Sequence, residues 1–354
     1  MLAWSRIYGK VFSLTVGTAN IIVICDRKAI RDLVDKKSAI YSDRPNDYIG
    51  HLLTRGDHMA ALSMTKGWRE MRKQVTHYFS PMLCDEHHQP IQEAETRALM
   101  NDLLETPEQF AGHIRRTTSS IASILVYGQR GPTIDHKYAT QVYEVMDRWS
   151  EAMEPGANPP VDVFPILKLI PTRFAPWKRR ALEAGRVMDE AWGGSLDAVR
   201  ARRAIGEKRD CVADKILDDY EAKEGEILPE HKLQNMLGEM VEGGSDTTSS
   251  QLLTFILAMA SYPRVQKKAQ AMIDEVCGTR RSPVWSDFDK LQYINAIVKE
   301  GMRWRPVASV GLPHRVREDD TYEGMFIPKD STIWIAVWYT HKDCADGKGP
   351  QSRP

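Results

Sequence analysis

The chain has 354 residues, with 48 Lys plus Arg against 48 Asp plus Glu and a formal net charge of zero. That length can bury a large core as one big domain or two, and the interspersed charges, without a basic block or an acidic tail, exclude the electrostatic footprint of a nucleic-acid binder. Five scattered cysteines (Cys25, Cys84, Cys211, Cys277 and Cys344) without C-x-x-C spacing exclude a disulfide framework and a zinc site, and read as reduced thiols in a cytosol-facing protein.

No run approaches the roughly 18–20 apolar residues that a bilayer span needs, and the N-terminus has no signal-peptide core. The chain therefore reads as soluble or at most peripheral. Met1 leads almost at once into what reads as a domain interior, so an upstream start is expected. Residues 11–24 alternate β-branched residues around Gly17 and predict a hairpin. Asp26 is the expected N-cap of a helix carrying Ile30, Leu33 and Val34 at helical spacing. Ser42, Asp43, Arg44 and Pro45 close that unit as a loop. Residues 66–79 read as a helix rich in Arg and Lys, bounded by Pro81. Residues 93–127 read as helical, with Ile114, Thr117, Ile121, Ile124 and Leu125 recurring near every 3.6 residues.

Residues 155–165 are a Pro-rich turn region, extended by Pro171 and Pro176. A charged amphipathic helix follows over 177–203, then a surface loop at 206–209 and a helix running to Lys223. Residues 229–260 carry the longest helical pattern. Shorter helices are expected over 263–276 and 291–303, the second ended by Pro306. From Ser309 onward strand-like runs, such as 332–338, are separated by Gly324 and Pro328. Helices dominate, and strands cluster at the two ends of the chain.

The long helix contains Gly243-Gly244-Ser245-Asp246-Thr247-Thr248. A glycine inside a helix costs roughly 1 kcal/mol relative to alanine, so two adjacent ones need a reason. Two readings stay open: a notch for close packing of another helix, or a locally loosened helix leaving a groove for a small ligand. A threonine hydroxyl can bond back to the i−4 carbonyl. Asp246 beside Thr247 sets a carboxylate and a hydroxyl next to that notch, a pair that can relay protons if water reaches it. Asp246 alone reads equally as part of a solvated face. Glu300 and Arg303 stand one helical turn apart and can pair, although an exposed pair of this kind is worth only a few tenths of a kcal/mol. Arg69, Arg72 and Lys73, taken alone, read as a solvated basic face.

Taken in order, these segments resemble the cytochrome P-450 family, of the fungal microsomal kind. Trp68-Arg69-Glu70-Met71-Arg72-Lys73 is similar to the family's W-x-x-x-R segment, in which the Trp68 and Arg72 positions hold a haem propionate. Gly243 to Thr248 is similar to [AG]-G-x-[DE]-T-T, in which the threonine at Thr247 assists dioxygen activation and Asp246 the proton supply. Glu300 and Arg303 match E-x-x-R, and Pro313-His314-Arg315 matches the segment whose His or Arg reaches the other propionate. Two further stretches, Gly324-Met325-Phe326-Ile327-Pro328-Lys329 and Trp338-Tyr339-Thr340-His341-Lys342-Asp343, follow the family's strand-and-turn pattern. The physics agrees, because cations and an indole N–H suit the two propionates at a haem edge.

The resemblance implies a mainly α fold with small β-sheets from the N-terminal and C-terminal segments. It also implies haem as cofactor, and hydroxylation of a small apolar organic substrate with dioxygen and electrons from an NADPH-cytochrome reductase. The setting would be fungal secondary metabolism, at the cytosolic face of the endoplasmic reticulum membrane. Variable loops around 46–61, 155–174 and 308–312 are expected to build the substrate pocket.

The pattern breaks after Asp343. The P-x-R-F segment and the F-x-x-G-x-R-x-C-x-G loop, which carries the iron thiolate of the family, do not follow. Residues 1–343 are therefore expected to be an incomplete domain and 344–354 a divergent tail. The glycine and phenylalanine context of a ligand is missing around Cys344. With no metal ligand assigned, the chain as written is expected to be inactive, and a buried Glu300–Arg303 pair to be under-satisfied. The alternative reading is a non-catalytic, truncated helical protein. A hydrolase using Asp246 with Ser245 or Thr247 ranks far below both, for want of a G-x-S-x-G elbow and of a histidine near that helix.

Overall fold

The computed structural model describes residues 2–154, 156–222, 228–278 and 281–342. The tail expected over 344–354, with Cys344, lies outside the described residues. In chain order the elements begin with α1 (Leu2–Tyr8), β1 (Val11–Val16), β2 (Ala19–Ile24), the short α2 (Arg27–Ala29) with a π-helical continuation (Ile30–Asp35), α3 (Ser38–Tyr41) and α4 (Tyr48–Thr54). There follow α5 (Lys66–Tyr78), α6 (Pro81–Leu83), α7 (Gln89–Glu105), α8 (Phe110–Tyr127), α9 (Lys137–Met153), α10 (Pro176–Ala204) and α11 (Val212–Ala222). The long α12 (Glu230–Ser261) leads to α13 (Pro263–Cys277) and α14 (Gln292–Trp304). Short strands β3 (His314–Arg315), β4 (Asp320–Tyr322), β5 (Met325–Ile327) and β6 (Thr332–Ile335) precede α15 (Val337–Lys342).

The chain divides into two compact units, one built from residues 1–46 and 254–354 and the other from 47–253. The first holds the strands. β1 and β2 form the expected hairpin, with Val11 opposite Ile24 and Val16 opposite Ala19, and Gly17 turns it at φ +60°, a conformation that glycine adopts freely. β2 then pairs in parallel with β6, and β6 pairs antiparallel with β3, giving the order β1-β2-β6-β3. The period-2 alternation of β2 is buried on both faces. Ile22 and Ile24 join Leu33, Tyr41, Val316 and Ile333 on one side, and Val23 joins Phe12 and Ala336 on the other. Asp26 caps α2 as expected, its carboxylate accepting from the Ala29 N–H at 3.0 Å.

The second unit is helical. Its core joins Leu233, Leu237 and Val241 of α12 to Trp192 of α10, Val126 of α8 and Val142 of α9. The carboxylate of Asp47 caps α4 through the Ile49 and Gly50 N–H groups. The Thr65 hydroxyl caps α5 through the Trp68 N–H.

Three boundaries differ from the sequence reading. The run expected over 93–127 is two helices, because Pro107 offers no N–H and Thr106 before it leaves the α region at φ −138°. The helix α9 is an addition; its buried Tyr138, Val142, Val145 and Ala152 recur at helical spacing. The strand expected over 332–338 stops at Ile335, and Val337, Trp338 and Tyr339 enter α15 instead. There the Trp338 N–H donates to the Ser309 carbonyl at 2.9 Å, a contact that outweighs the β propensity of those side chains.

Candidate functional site

The Gly-Gly segment lies in the body of α12, which is regular α-helix from Glu230 to Ser261. The expectation of a loosened turn is therefore corrected. Hydroxyls here reinforce the helix: Ser245 Oγ donates to the Val241 carbonyl at 2.6 Å, Thr247 Oγ1 to the Gly243 carbonyl at 2.6 Å and Ser249 Oγ to the Asp246 carbonyl at 2.9 Å. The notch comes from missing side chains and not from a widened turn. A Cβ built on Gly243 would meet no atom within 4 Å, whereas one on Gly244 would touch the Ala122 methyl of α8 at an ordinary 3.4 Å. Close packing thus explains little at Gly244 and nothing at Gly243. Both glycines and Thr247 are exposed. Because the Thr247 proton is spent on the Gly243 carbonyl, its oxygen presents acceptor lone pairs at the notch.

Asp246 is half-buried. Burial raises its pKa above the usual carboxylate range, Arg115 of α8 pulls it down and Asp147 of α9 pushes it up. The charges acting on it are therefore on α8 and α9. Successive residues project about 100° apart on a helix, so Asp246 and the exposed Thr247 point in different directions.

On α5, Trp68, Arg69, Arg72, Lys73, Thr76 and His77 line an open depression of about 450 Å³. Arg72 and Lys73 are exposed and, among the described residues, make no ion pair. Trp68 behaves otherwise: its indole Nε1–H donates to the Met59 carbonyl at 3.2 Å.

His314, Arg315, Glu300 and Arg303 belong to the unit with the strands. His314 is partly buried, and burial, with Arg44 adding to it, lowers its pKa, so the ring is neutral near pH 7. Its Nδ1 is a buried atom with no hydrogen-bond partner among the described residues. Arg315 is held by its own unit, with Nη2 on the Asp43 carboxylate at 2.6 Å and its backbone N–H on the Asp43 carbonyl at 2.8 Å. Glu300 and Arg303 form a two-point pair at 2.6 and 2.7 Å. The expected burial of this pair is corrected: the Glu300 side chain is 59% exposed and that of Arg303 33%, so water shares the charge and the desolvation penalty is small.

Residues 1–345 match the cytochrome P450 family. The chain belongs to this family. Among its P450 relatives, the cytochrome P450 monooxygenase patI of Aspergillus clavatus is 45% identical over 341 residues, covering 96% of this chain and 64% of that protein. The cytochrome P450 monooxygenase atE of Aspergillus terreus is 42% identical over 344 residues, covering 97% of this chain and again 64% of the relative. The chain thus spans just under two thirds of the length of these P450 relatives. A solved zebrafish cytochrome P450, determined with progesterone, superposes with a TM-score of 0.80 at 22% identity, covering 96% of this chain and 79% of that one. This likeness confirms the mainly helical P450 fold with small sheets.

Of the P450 cysteines, Cys25, Cys211 and Cys277 are buried and Cys84 is half-exposed, and none of the four is in a disulfide among the described residues, as expected. Burial raises the pKa of Cys211 to about 11, so it is a thiol and not a thiolate at neutral pH.

Sequence reading missed a polar cluster one turn before the glycines. His58, Glu239 and Glu242 have side chains only 6%, 6% and 9% exposed. His58 Nε2 lies 3.0 Å from Glu242 Oε2, and His58 Nδ1 lies 3.7 Å from Glu239 Oε2. Trp192 Nε1 donates to Glu242 Oε1 at 2.9 Å, and the Met59 N–H donates to Glu239 Oε1 at 2.6 Å. One signal was available: two acids at i,i+3 among Leu237, Met240 and Val241 on a helix that buries this stretch. Their partner His58 lies far away in sequence, at no recognisable spacing.

Proposed function

We propose that this chain is the oxygen- and substrate-handling part of a haem-dependent monooxygenase, which hydroxylates a small apolar organic molecule using dioxygen and electrons from an NADPH-cytochrome reductase. The observation that carries the reading is the open notch at Gly243 beside Thr247, within a chain of this family. Aspergillus relatives described as monooxygenases support it.

The residues present suit a haem edge. Arg72, exposed and without an ion pair among the described residues, offers a guanidinium that matches a propionate. Trp68 stands on the same face of α5, one turn earlier, and His314, in the unit with the strands, is assigned to the other propionate by the family resemblance alone. Bound haem would supply the iron at which dioxygen is activated. Around it, Gly243 leaves room for a small ligand, Thr247 offers an acceptor oxygen toward that room, and Asp246, with its raised pKa, holds or releases a proton closer to neutrality than an ordinary aspartate does. Arg315 and the Trp68 indole are the weakest of the carried-over assignments, since Asp43 and the Met59 carbonyl already engage them. An apolar substrate accords with the large exposed apolar side chains of Phe164, Ile166, Leu169 and Phe174 between α9 and α10. Attachment to the endoplasmic reticulum membrane, facing the cytosol, is the part of the reading that rests on the family alone; among the described residues no helix is long and apolar enough to cross a membrane.

Titration of the purified chain with haemin tests the cofactor assignment. Uptake of one haem per chain is expected, weakened about tenfold by Arg72→Ala through loss of a charge-assisted bond. A folded chain that takes up no stoichiometric haem would overturn it.

A further inference from the structure

The His58–Glu239–Glu242 cluster sits where three segments of the helical unit meet, and it has no part in the function proposed above. Its geometry ties it to Trp68. Glu239 Oε1 accepts from the Met59 N–H at 2.6 Å, and the Met59 carbonyl accepts from the Trp68 indole N–H at 3.2 Å. The Met59 backbone is thus held through both of its flanking peptide groups, its N–H by a buried carboxylate of α12 and its carbonyl by the indole of α5. The other side is equally tied down. Glu242 takes the Trp192 indole N–H at 2.9 Å, and Trp192 is pressed so close to α12 that a Cβ on Gly238 would lie 2.3 Å from its ring. The His58 ring packs 4.7 Å from that of Trp149 on α9.

We propose that His58, Glu239 and Glu242 form a buried proton-sharing site that positions the Met59 backbone, and through its carbonyl the Trp68 indole N–H. The three are positioning residues, since none of them is assigned a contact with substrate or cofactor. The positioning itself stands apart from the functional reading; only its consequence, how strongly the Met59 carbonyl competes for an N–H assigned to a haem propionate, rests on that reading.

Charge counting explains why a proton is shared. A cationic imidazole between two carboxylates leaves one uncompensated negative charge in a site almost closed to water, and such a charge is costly. One further proton makes the cluster neutral. Glu239 is the group to take it, because Glu242 already receives both the His58 and the Trp192 N–H. Burial drives Glu239 up, against the opposing pull of His58, to about 7. Burial alone would lower His58, but Glu239 and then Glu242 outweigh it and hold the imidazole above its ordinary value. The other titratable group facing the cluster is Tyr127 of α8, whose buried hydroxyl is raised far out of the working range, by burial first and then by Glu242. The faces contributed by α9 and α10 are Trp149 and Trp192, which do not titrate.

The test follows indole N–H resonances of the full chain, without haem, from pH 5.5 to 8.5, with Trp68 assigned by Trp68→Phe. A sigmoidal shift of the Trp68 resonance centred near pH 7 is expected. Glu239→Gln keeps an acceptor for the Met59 N–H but cannot ionise, so it should abolish the shift. His58→Gln removes the cation and should move the midpoint upward. A flat wild-type profile, or one unchanged in Glu239→Gln, would overturn the proposal. The wild-type profile decides even if a variant fails to fold. Because haem is absent throughout, this result is independent of the haemin titration.

Discussion

Glycines inside helices do opposite jobs at two places in this chain. On α14, a Cβ at Gly301 would fall 2.1 Å from Phe255 Cε1, so glycine there is required by the ring against it. On α12, Gly243 faces open space, and no packing requirement explains it. Gly301→Ala should therefore destabilise the chain by about 1–3 kcal/mol through overpacking. Gly243→Ala should stabilise it by up to roughly 1 kcal/mol through helix propensity. Urea unfolding of the two variants checks both signs, and a loss of stability in Gly243→Ala would mean that the notch is structural after all. In sequence the two glycines look alike. The difference lies in what opposes them, and only Gly243 was legible, because Asp246 and Thr247 follow it.

At the scale of elements, local chemistry that acts within a few residues was legible, and long-range packing was not. Asp26 is a case of the first kind: an acid before a helical spacing, whose carboxylate accepts from the Ala29 N–H and also meets Lys10. Asp26→Ala should cost about 1 kcal/mol, read as a lowered melting temperature, and Asp26→Asn should recover most of it because the amide oxygen still caps. The hairpin at Gly17 is legible for the same reason, since its turn and its alternation are local. The end of β6 is a case of the second kind. Val337, Trp338 and Tyr339 favour strand by propensity, yet Trp338 bonds the Ser309 carbonyl and the chain turns into α15. The candidate site divides in the same way. Gly243, Asp246, Thr247, Trp68 and Arg72 sit within single helices, in short local segments on which the family resemblance could rest. The internal pairing of Arg315 with Asp43 and the burial of His58 against Glu239 depend on residues remote in sequence.

For the whole molecule, the buried cluster sets an unusual sign on the pH dependence of stability. Glu239 titrates at about 7 in the folded chain against an ordinary 4.5. The folded state therefore holds a proton that the unfolded state has released between those values, and stability falls as pH rises through that window. His58 acts in the same direction, because its pKa is raised above 6.5 when folded; the stability it contributes is present below that value and is lost as pH rises through its folded pKa. Carboxylates held down by cations, such as Asp214 and Asp320, act oppositely. Burial opposes their shift, but hydrogen bonds from the Arg209 backbone N–H and then Arg202 and Arg203 in the first case, and from Lys37, the Thr321 backbone N–H and Tyr41 in the second, prevail. What they contribute is lost only as pH falls through values below 3.8. Between pH 5 and 8 the cluster acts against His88 and His314, whose imidazoles burial lowers below 6.5 and whose contribution therefore rises with pH. At about 1.4 kcal/mol per unit of displacement, its effect is on the order of 2–3 kcal/mol, large beside a typical net stability of about 5–15 kcal/mol. The melting temperature of the chain should fall steadily from pH 5 to 8, and Glu239→Gln should flatten that fall. Hydrogen exchange should trace the loss to residues 55–65 and the first half of α12, the segments that the cluster joins. A stability that rises over this range would show that the cluster does not retain its proton on folding.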